Sequence, residues 1–399
     1  MDKQFDITVA GHICLDIIPK IPDTGAREIP DLFKPGKLVE VDTAAVSTGG
    51  PVSNTGIALA KLGLKVAFMA RIGDDQFGAI VETLLENQGF TSGISKSSRD
   101  RTSYTIAIAP PGIDRIFLHH PGANNHFDHR DLDEKIISES KMFHFGYPPI
   151  MAKCYTDEGA ELERIFQIAK KTGALTSLDM ALPDPDSPSG KAPWKKILER
   201  VLPDVDIFLP SIEEIFFMLE QEKYFQIKKQ AGIRDVIDFI EQDDYRRLAK
   251  MCLDLGAQMV AFKAAHKGIY FYSGKIQTKN DVPKNAENWS NRELWSPPFR
   301  IEKIASATGS GDSAIAGFLA AVARGKDVEA ALNYANCTGY QNLHELDAIS
   351  GIKSWDATTQ MLREKKLTKY NISLDENQWK WNAEHQLWFG SGDKFFKEV

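Results

Sequence analysis

The run Thr308-Gly309-Ser310-Gly311-Asp312-Ser-Ala-Ile-Ala-Gly-Phe-Leu-Ala-Ala-Val322 constrains this chain more than any other stretch. A turn of small residues opens an Ala-rich apolar segment without proline, which predicts a buried helix ending near Gly325. Alternation in Phe299-Arg-Ile-Glu-Lys-Ile304 predicts a half-buried strand leading into the turn. A glycine-rich turn that starts a helix aims several backbone N–H groups at one point, and the helix dipole adds partial positive charge there. Such a point is an anion site, most naturally for phosphate. Asp312 falls in the first helical turn, where a carboxylate beside a phosphate is electrostatically costly. It either caps the helix or serves as a base for a hydroxyl that attacks that phosphate.

Ser47-Thr-Gly49-Gly50-Pro51-Val-Ser-Asn54-Thr-Gly56-Ile-Ala-Leu-Ala-Lys-Leu-Gly63 is the second informative stretch. Its double glycine lets backbone approach a ligand closely, and Asn54 lies in the first turn of an apolar helix that stops at Gly63. Phe5, Ile7 and Val9 alternate with polar residues, and Asp16 follows this first strand where open α/β sheets bind ligands. From about residue 140, strand-like and helix-like segments alternate, which argues for a parallel sheet covered by helices on both faces. Met142–Phe145, Leu175–Asp179, Val205–Leu209 and Gln258–Phe262 are its expected strands, and Asp179 ends one of them. Residues 17–48 read as β-ribbon, and Ser103–Ala109 with Arg115–His119 as a hairpin around Pro110–Asp114. One or two amphipathic helices are expected in 221–256, and a surface loop in the polar, Trp-containing 280–298. The tail from Thr368 holds Trp379, Trp381 and Trp388, which favours packing on the domain or on a second subunit over disorder.

The 399 residues suffice for one large core or two smaller ones, and the net charge of −7 with intermixed signs argues against a nucleic-acid surface. Cys14, Cys154, Cys252 and Cys337 form no CxxC pair and read as reduced thiols. There is no signal-peptide pattern and no apolar run of membrane-spanning length, so a cytoplasmic location is expected. No Walker A sequence occurs. Gly309-Ser-Gly311-Asp-Ser-Ala314 satisfies a loose dinucleotide fingerprint, but it lies late in the chain and leaves the Gly49–Gly63 stretch unexplained. His119, His120, His126 and His129 fit no common zinc spacing.

The two glycine-rich stretches, in this order, resemble the signatures of the ribokinase-like (PfkB) carbohydrate kinases over roughly residues 5–350. The resemblance implies an α/β fold, a three-layer α/β/α sandwich with a mostly parallel central sheet and a small β-sheet lid. It implies one kinase domain over 1–399, with lid segments near 14–48 and 100–125 and a C-terminal extension near 365–399. By resemblance, Gly309, Ser310 and Gly311 form the anion hole and Asp312 is the catalytic base. Asp16, Gly49, Gly50 and Asn54 bind the sugar, and Gly122-Ala-Asn-Asn125 lies near it. Lys263 and Gly268 lie beside the nucleotide, Asn336 lines the adenine pocket, and Glu214 acts through water on Mg²⁺. ATP and Mg²⁺ are the implied cofactors, and dimerisation through the lid is common in the family. Ser306 and Ala307 replace the Asp-Thr that usually starts the second signature, so the monovalent-cation site of the family is not carried over. Ser211 stands for an Asn and Ala265 for a Gly in two further motifs. The implied activity is ATP-dependent phosphorylation of a small sugar, ribokinase- or fructokinase-like. Pro51-Val-Ser53 lacks the Lys that ribokinases often carry there, and no basic cluster marks a sugar-phosphate pocket, which favours an unphosphorylated sugar. The alternatives are a nucleoside kinase of the same fold and, more distantly, a dinucleotide-binding oxidoreductase. A non-catalytic sugar sensor is disfavoured by the presence of Asp312.

Overall fold

The computed structural model describes residues 3–23, 25–26, 28–90, 92–113, 116–276, 282–364 and 366–398. Met1 and Asp2 of the first expected strand, Thr24, Arg27, Asp114 and Arg115 of the lid, residues 280–281 of the expected surface loop, and Lys365 and Val399 of the extension lie outside the described residues.

The strands are β1 (Phe5–Gly11), β2 (Cys14–Lys20), β3 (Asp42–Gly49), β4 (Val66–Gly73), β5 (Ile94–Ser97), β6 (Tyr104–Ile108), β7 (Ile116–His120) and β8 (Ser140–Gly146). They continue as β9 (Leu175–Leu178), β10 (Ile207–Phe208), β11 (Met259–Lys263), β12 (Ile269–Ser273), β13 (Glu293–Ser296), β14 (Trp379–Asn382) and β15 (Leu387–Gly390). The large sheet runs β14-β15-β13-β12-β11-β10-β9-β8-β1-β4-β5. Its pairs from β5 to β11 are parallel, and those from β11 to β14 antiparallel. Ile7 and Val9 face one apolar layer, and Ala10 and Phe145 the other, so the parallel strands are buried on both sides. One layer holds the helices Ala160–Lys171, Trp194–Val201, Ile212–Leu219 and Gln242–Asp254. The other holds Pro51–Lys61, Ser310–Ala323 and Val328–Asn342. The Ala- and Gly-rich composition of Ser310–Ala323 has a packing cause. A Cβ on Gly317 would come within 2.2 Å of Thr338 Oγ1 and 2.6 Å of Tyr334 O on the next helix.

A separate sheet, β3-β2-β6-β7, follows directly from the carboxyl end of β1, since β1 stops at Gly11 and β2 begins at Cys14. Its register sets Ser47, Asp16, Thr105 and His119 in one cross-strand row, and Val46, Ile17, Ile106 and Leu118 in the next. Side chains of successive rows point to opposite faces, so the lid has a polar face and an apolar face.

Three local expectations are corrected. Phe299–Ile304 is not a strand; only Phe299 makes a bridge, with Lys369. Its alternation has another cause, because Phe299, Ile301 and Ile304 line a large cavity. Residues 282–298 are not a surface loop; they carry the helix Ala286–Trp289 and β13, and Trp289, Arg292 and Glu293 are fully buried. The polarity is internal pairing: Arg292 bonds Glu329 at 2.5 Å and Asp393 at 2.9 Å, and Glu293 receives Arg246 at 2.6 Å and Tyr270 OH at 2.9 Å. The expected β-ribbon over 17–48 holds strand only at its two ends, since β2 stops at Lys20, Ile29–Leu32 is a helical turn and β3 begins at Asp42. The tryptophan-rich tail packs back on its own chain as the β14–β15 hairpin, with Trp379 buried.

Candidate active site

Asp312 enters the site from the first turn of Ser310–Ala323 and is buried. Asn54 Nδ2 donates to its Oδ2 at 2.9 Å, Tyr147 OH lies 3.0 Å from both oxygens, and Thr55 Oγ1 donates at 3.4 Å. Burial raises the carboxyl above its ordinary range, while the donors Asn54, Tyr147 and Thr55, with the Lys263 charge, hold it down. Asn54 Oδ1 is buried and has no hydrogen-bond partner among the described residues, an acceptor left for something else. Tyr147 reaches Asp312 from the end of β8 through a left-handed backbone conformation, φ 64°. His12, buried between β1 and β2, has both ring nitrogens without a partner among the described residues, and its ring centroid lies 5.3 Å from that of His119.

On the lid side, Asp16 receives Cys14 Sγ at 3.2 Å, and burial, with a smaller contribution from the Asp312 charge, pushes its carboxyl up to about 6. A Cβ on Gly49 would fall 2.1 Å from Asp16 Oδ2, so a larger residue there would displace the Asp16 carboxyl. Gly50 has φ +84°, and a Cβ there would meet His12 Nδ1 at 2.5 Å.

On the other side of Asp312, Gly309 caps the helix with φ 74°. The Ser310 N–H turns back to Ala307 O at 3.3 Å, so the Gly311 and Asp312 amides are the first-turn donors without an intrahelical acceptor. Lys263, at the end of β11, lies beside Gly311 and bonds Asp179 and, at 2.8 Å, Leu209 O. Burial works against the Lys263 charge, but Asp179, Glu214 and Asp312 outweigh it and raise its pKa. Burial pushes Asp179 up to about 8, with Glu214 and Asp312 adding to the rise. Three carboxyl groups thus act on one ammonium. Beyond Ser310 and Gly311 opens a cavity of about 870 Å³, walled by Gly268, Phe299, Asn336 and Tyr340 among others.

The profile of the pfkB family carbohydrate kinases matches residues 5–364. The chain belongs to the pfkB family of carbohydrate kinases. Rice fructokinase-1 is 24% identical over 341 residues, covering 82% of this chain and 88% of the relative. The solved structure of Arabidopsis thaliana ribokinase complexed with ribose and ATP superposes with a TM-score of 0.65 at 18% identity, covering 90% of this chain and 99% of that one. Fructokinase with bound ATP from Xylella fastidiosa gives 0.65 at 17% identity, covering 91% and 99%. The fold is therefore ribokinase-like.

Within this pfkB fold, Asp16, Gly49, Gly50, Asn54 and Asp312 come together as a group, Ser310, Gly311, Lys263, Gly268 and Asn336 line the large cavity, and Gly309 caps the helix that begins beside it. Asn336 spends its amide donors on Ser296 and Pro297. Glu214 and Ser211 form a reciprocal helix cap, Ser211 N to Glu214 Oε2 at 2.6 Å, so this acid serves its helix as well as facing Lys263. Asn124 is a clamp on the β1–β2 connection, bonding the Ile13 N–H and C=O. His129 pairs with Glu161 at 2.7 Å, and the neighbouring Asp128 is held by Lys153 and Arg130. Tyr147, Thr55 and His12 were missed from sequence. Their one signal is place: each adjoins a strand end or glycine pair on the ligand edge of the sheet.

Proposed function

We propose that this pfkB carbohydrate kinase transfers the γ-phosphoryl group of ATP to a hydroxyl of a small unphosphorylated sugar, with Asp312 as general base and the whole chain acting as one kinase domain. The observation that carries the reading is the position of the Asp312 carboxylate. It sits at a helix N-terminus, between the polar lid row with Asn54 on one side and the 870 Å³ cavity on the other. Asp16 accepts sugar hydroxyl protons, and the unpartnered Asn54 Oδ1 takes another. Asp312 takes the proton of the attacking hydroxyl while the new P–O bond forms and the bond to the ADP oxygen breaks. The Gly311 and Asp312 amides, the helix dipole and Lys263 meet the charge on the transferring group. The chain offers oxygen donors that suit a hard divalent cation, the carboxyl groups of Asp179 and Glu214, which interact with each other and with Lys263 at the wall of the cavity. Glu214 and Asp179 would hold Mg²⁺, directly or through water, and the ion would neutralise the nucleotide phosphates. The lid excludes water from the transfer. Its apolar face, with Val46 and Leu118 exposed, supports a lid-to-lid dimer, which light scattering would detect.

The test is ADP release with Mg-ATP across free sugars, sugar phosphates and nucleosides, with EDTA and Asp312→Asn as controls. The expected result is a signal with one free sugar, abolished by EDTA and lowered about 10²- to 10⁴-fold in the variant. A nucleoside-only signal replaces the sugar by a nucleoside, and undiminished turnover in Asp312→Asn removes the general base.

A further inference from the structure

The stretch matched to the family ends at residue 364, yet the wall of the large cavity does not. Tyr370, Ile372 and Leu374 line it together with Phe299, Ile301 and Tyr340 from the family core. We infer that this C-terminal segment completes the nucleotide pocket, with Tyr370 and Ile372 packing against the purine base of ATP. The inference rests on the kinase reading above.

The segment is tied down on both sides of these residues. Before them, Arg300 N donates to Thr368 O at 2.8 Å and Tyr370 N to Pro298 O at 2.9 Å, pairing the segment with the chain that leads into the anion turn. Lys369 Nζ is buried against three neutral acceptors, Ser296 Oγ at 2.8 Å, Asn333 Oδ1 at 2.6 Å and Gln386 O at 2.9 Å. Tyr370 OH donates to Ile301 O at 3.2 Å. After them, Gln242 receives the Asp375 N–H at 3.2 Å and donates to Ser373 O at 3.4 Å. Residues 371 and 372 therefore form a strap between two anchors across one side of the cavity.

The chemistry of the two ends of the cavity differs. At Lys263, Ser310 and Gly311 it offers a cation, a hydroxyl and helix-start amides, which suit phosphates. At the strap it offers an aromatic ring, branched aliphatic side chains and backbone, which suit a flat, mostly apolar heterocycle with a few polar edges. Tyr370 is 39% exposed and Ile372 is partly exposed, so both keep surface for a ligand. A second anchor independent of the base exists at the phosphate end, so loss of the strap contacts weakens nucleotide binding without abolishing the anion site.

Calorimetry on the full chain tests this with two probes, Mg-ATP and inorganic tripolyphosphate with Mg²⁺, for wild type, Tyr370→Ala with Ile372→Ala, and Tyr370→Phe. The double variant is expected to bind Mg-ATP roughly tenfold more weakly, as when a base loses an aromatic face, and to bind tripolyphosphate like wild type. Tyr370→Phe keeps the ring and is expected to keep ATP affinity. Equal ATP affinity in wild type and the double variant overturns the inference, as does a matching loss for tripolyphosphate, which would mean that the strap merely holds the anion turn. A wild type that binds tripolyphosphate but shows no gain from the adenosine of ATP also overturns it. A wild type that binds neither probe removes the kinase reading itself.

Discussion

Replacing Tyr147 by Phe isolates a single proton. The phenol donates to both oxygens of Asp312, and only Asn54, at 2.9 Å, and the longer Thr55 contact at 3.4 Å remain once it is gone. The ring is retained, so its neighbour His12, with centroids 6.3 Å apart, keeps its packing partner. A hydrogen bond to a charged group stabilises by about 1.5–3 kcal/mol, and one pH unit of proton affinity corresponds to about 1.4 kcal/mol. Burial already favours the protonated carboxyl. Removing this donor favours it further, so the acid limb of kcat/KM should move up by about one to two pH units. The alkaline plateau should persist, because the ionised carboxylate that remains is a stronger base. The measurement is the pH profile of coupled ADP release between pH 5 and 9, with the sugar found in the substrate panel. An unmoved acid limb would refute the assigned hydrogen bond. A uniform fall at every pH would instead mean that Tyr147 only supports the local backbone.

Two further outcomes follow from buried charge. Asp16 has a folded-state pKa of about 6 against an ordinary 3.8, so its ionisation costs the native state nothing below 3.8 and the full penalty above 6. The ionised form builds up as pH rises through 6; on the proposed sugar contact, KM for the sugar should climb below that pH, and Asp16→Asn should flatten this dependence. Arg292→Leu leaves Glu329 and Asp393 buried without their cation and should lower stability by about 3–5 kcal/mol. Urea unfolding reads it, and a loss under about 1 kcal/mol would show that the network is not needed for the fold.

The fold was legible because its signals are local. Gly49-Gly50-Pro51 before an apolar helix and Gly309-Ser310-Gly311-Asp312 before another mark turns that open helices at the candidate site, and the alternation after residue 140 marks a parallel sheet. The pairing of Asn54 with Asp312 spans 258 residues and that of Tyr147 spans 165, so no local pattern encodes it. Tyr147 is the harder case: an aromatic residue before Pro148-Pro149 reads as a turn, and its role depends on a left-handed backbone that only the surrounding structure imposes. β13 was unreadable for the opposite reason. Arg292 and Glu293 look like solvent-facing residues, and their partners lie 37 and 101 residues away for Arg292 and 47 for Glu293. The alternation in Phe299–Ile304 was real, but it served a cavity rather than a sheet.

The β14–β15 hairpin also decides how the sheet ends. Without it, β13 would be the outermost strand, presenting Leu294 and Trp295 and a row of unpaired backbone groups to any neighbouring chain. With it, the border is a four-residue strand that carries Lys380 and Asn382, a poor template for a stranger to extend. The hairpin is made after every other strand of the sheet. Until residue 390 emerges, a sheet that is otherwise assembled carries an adhesive rim, and crowded nascent chains can aggregate through it.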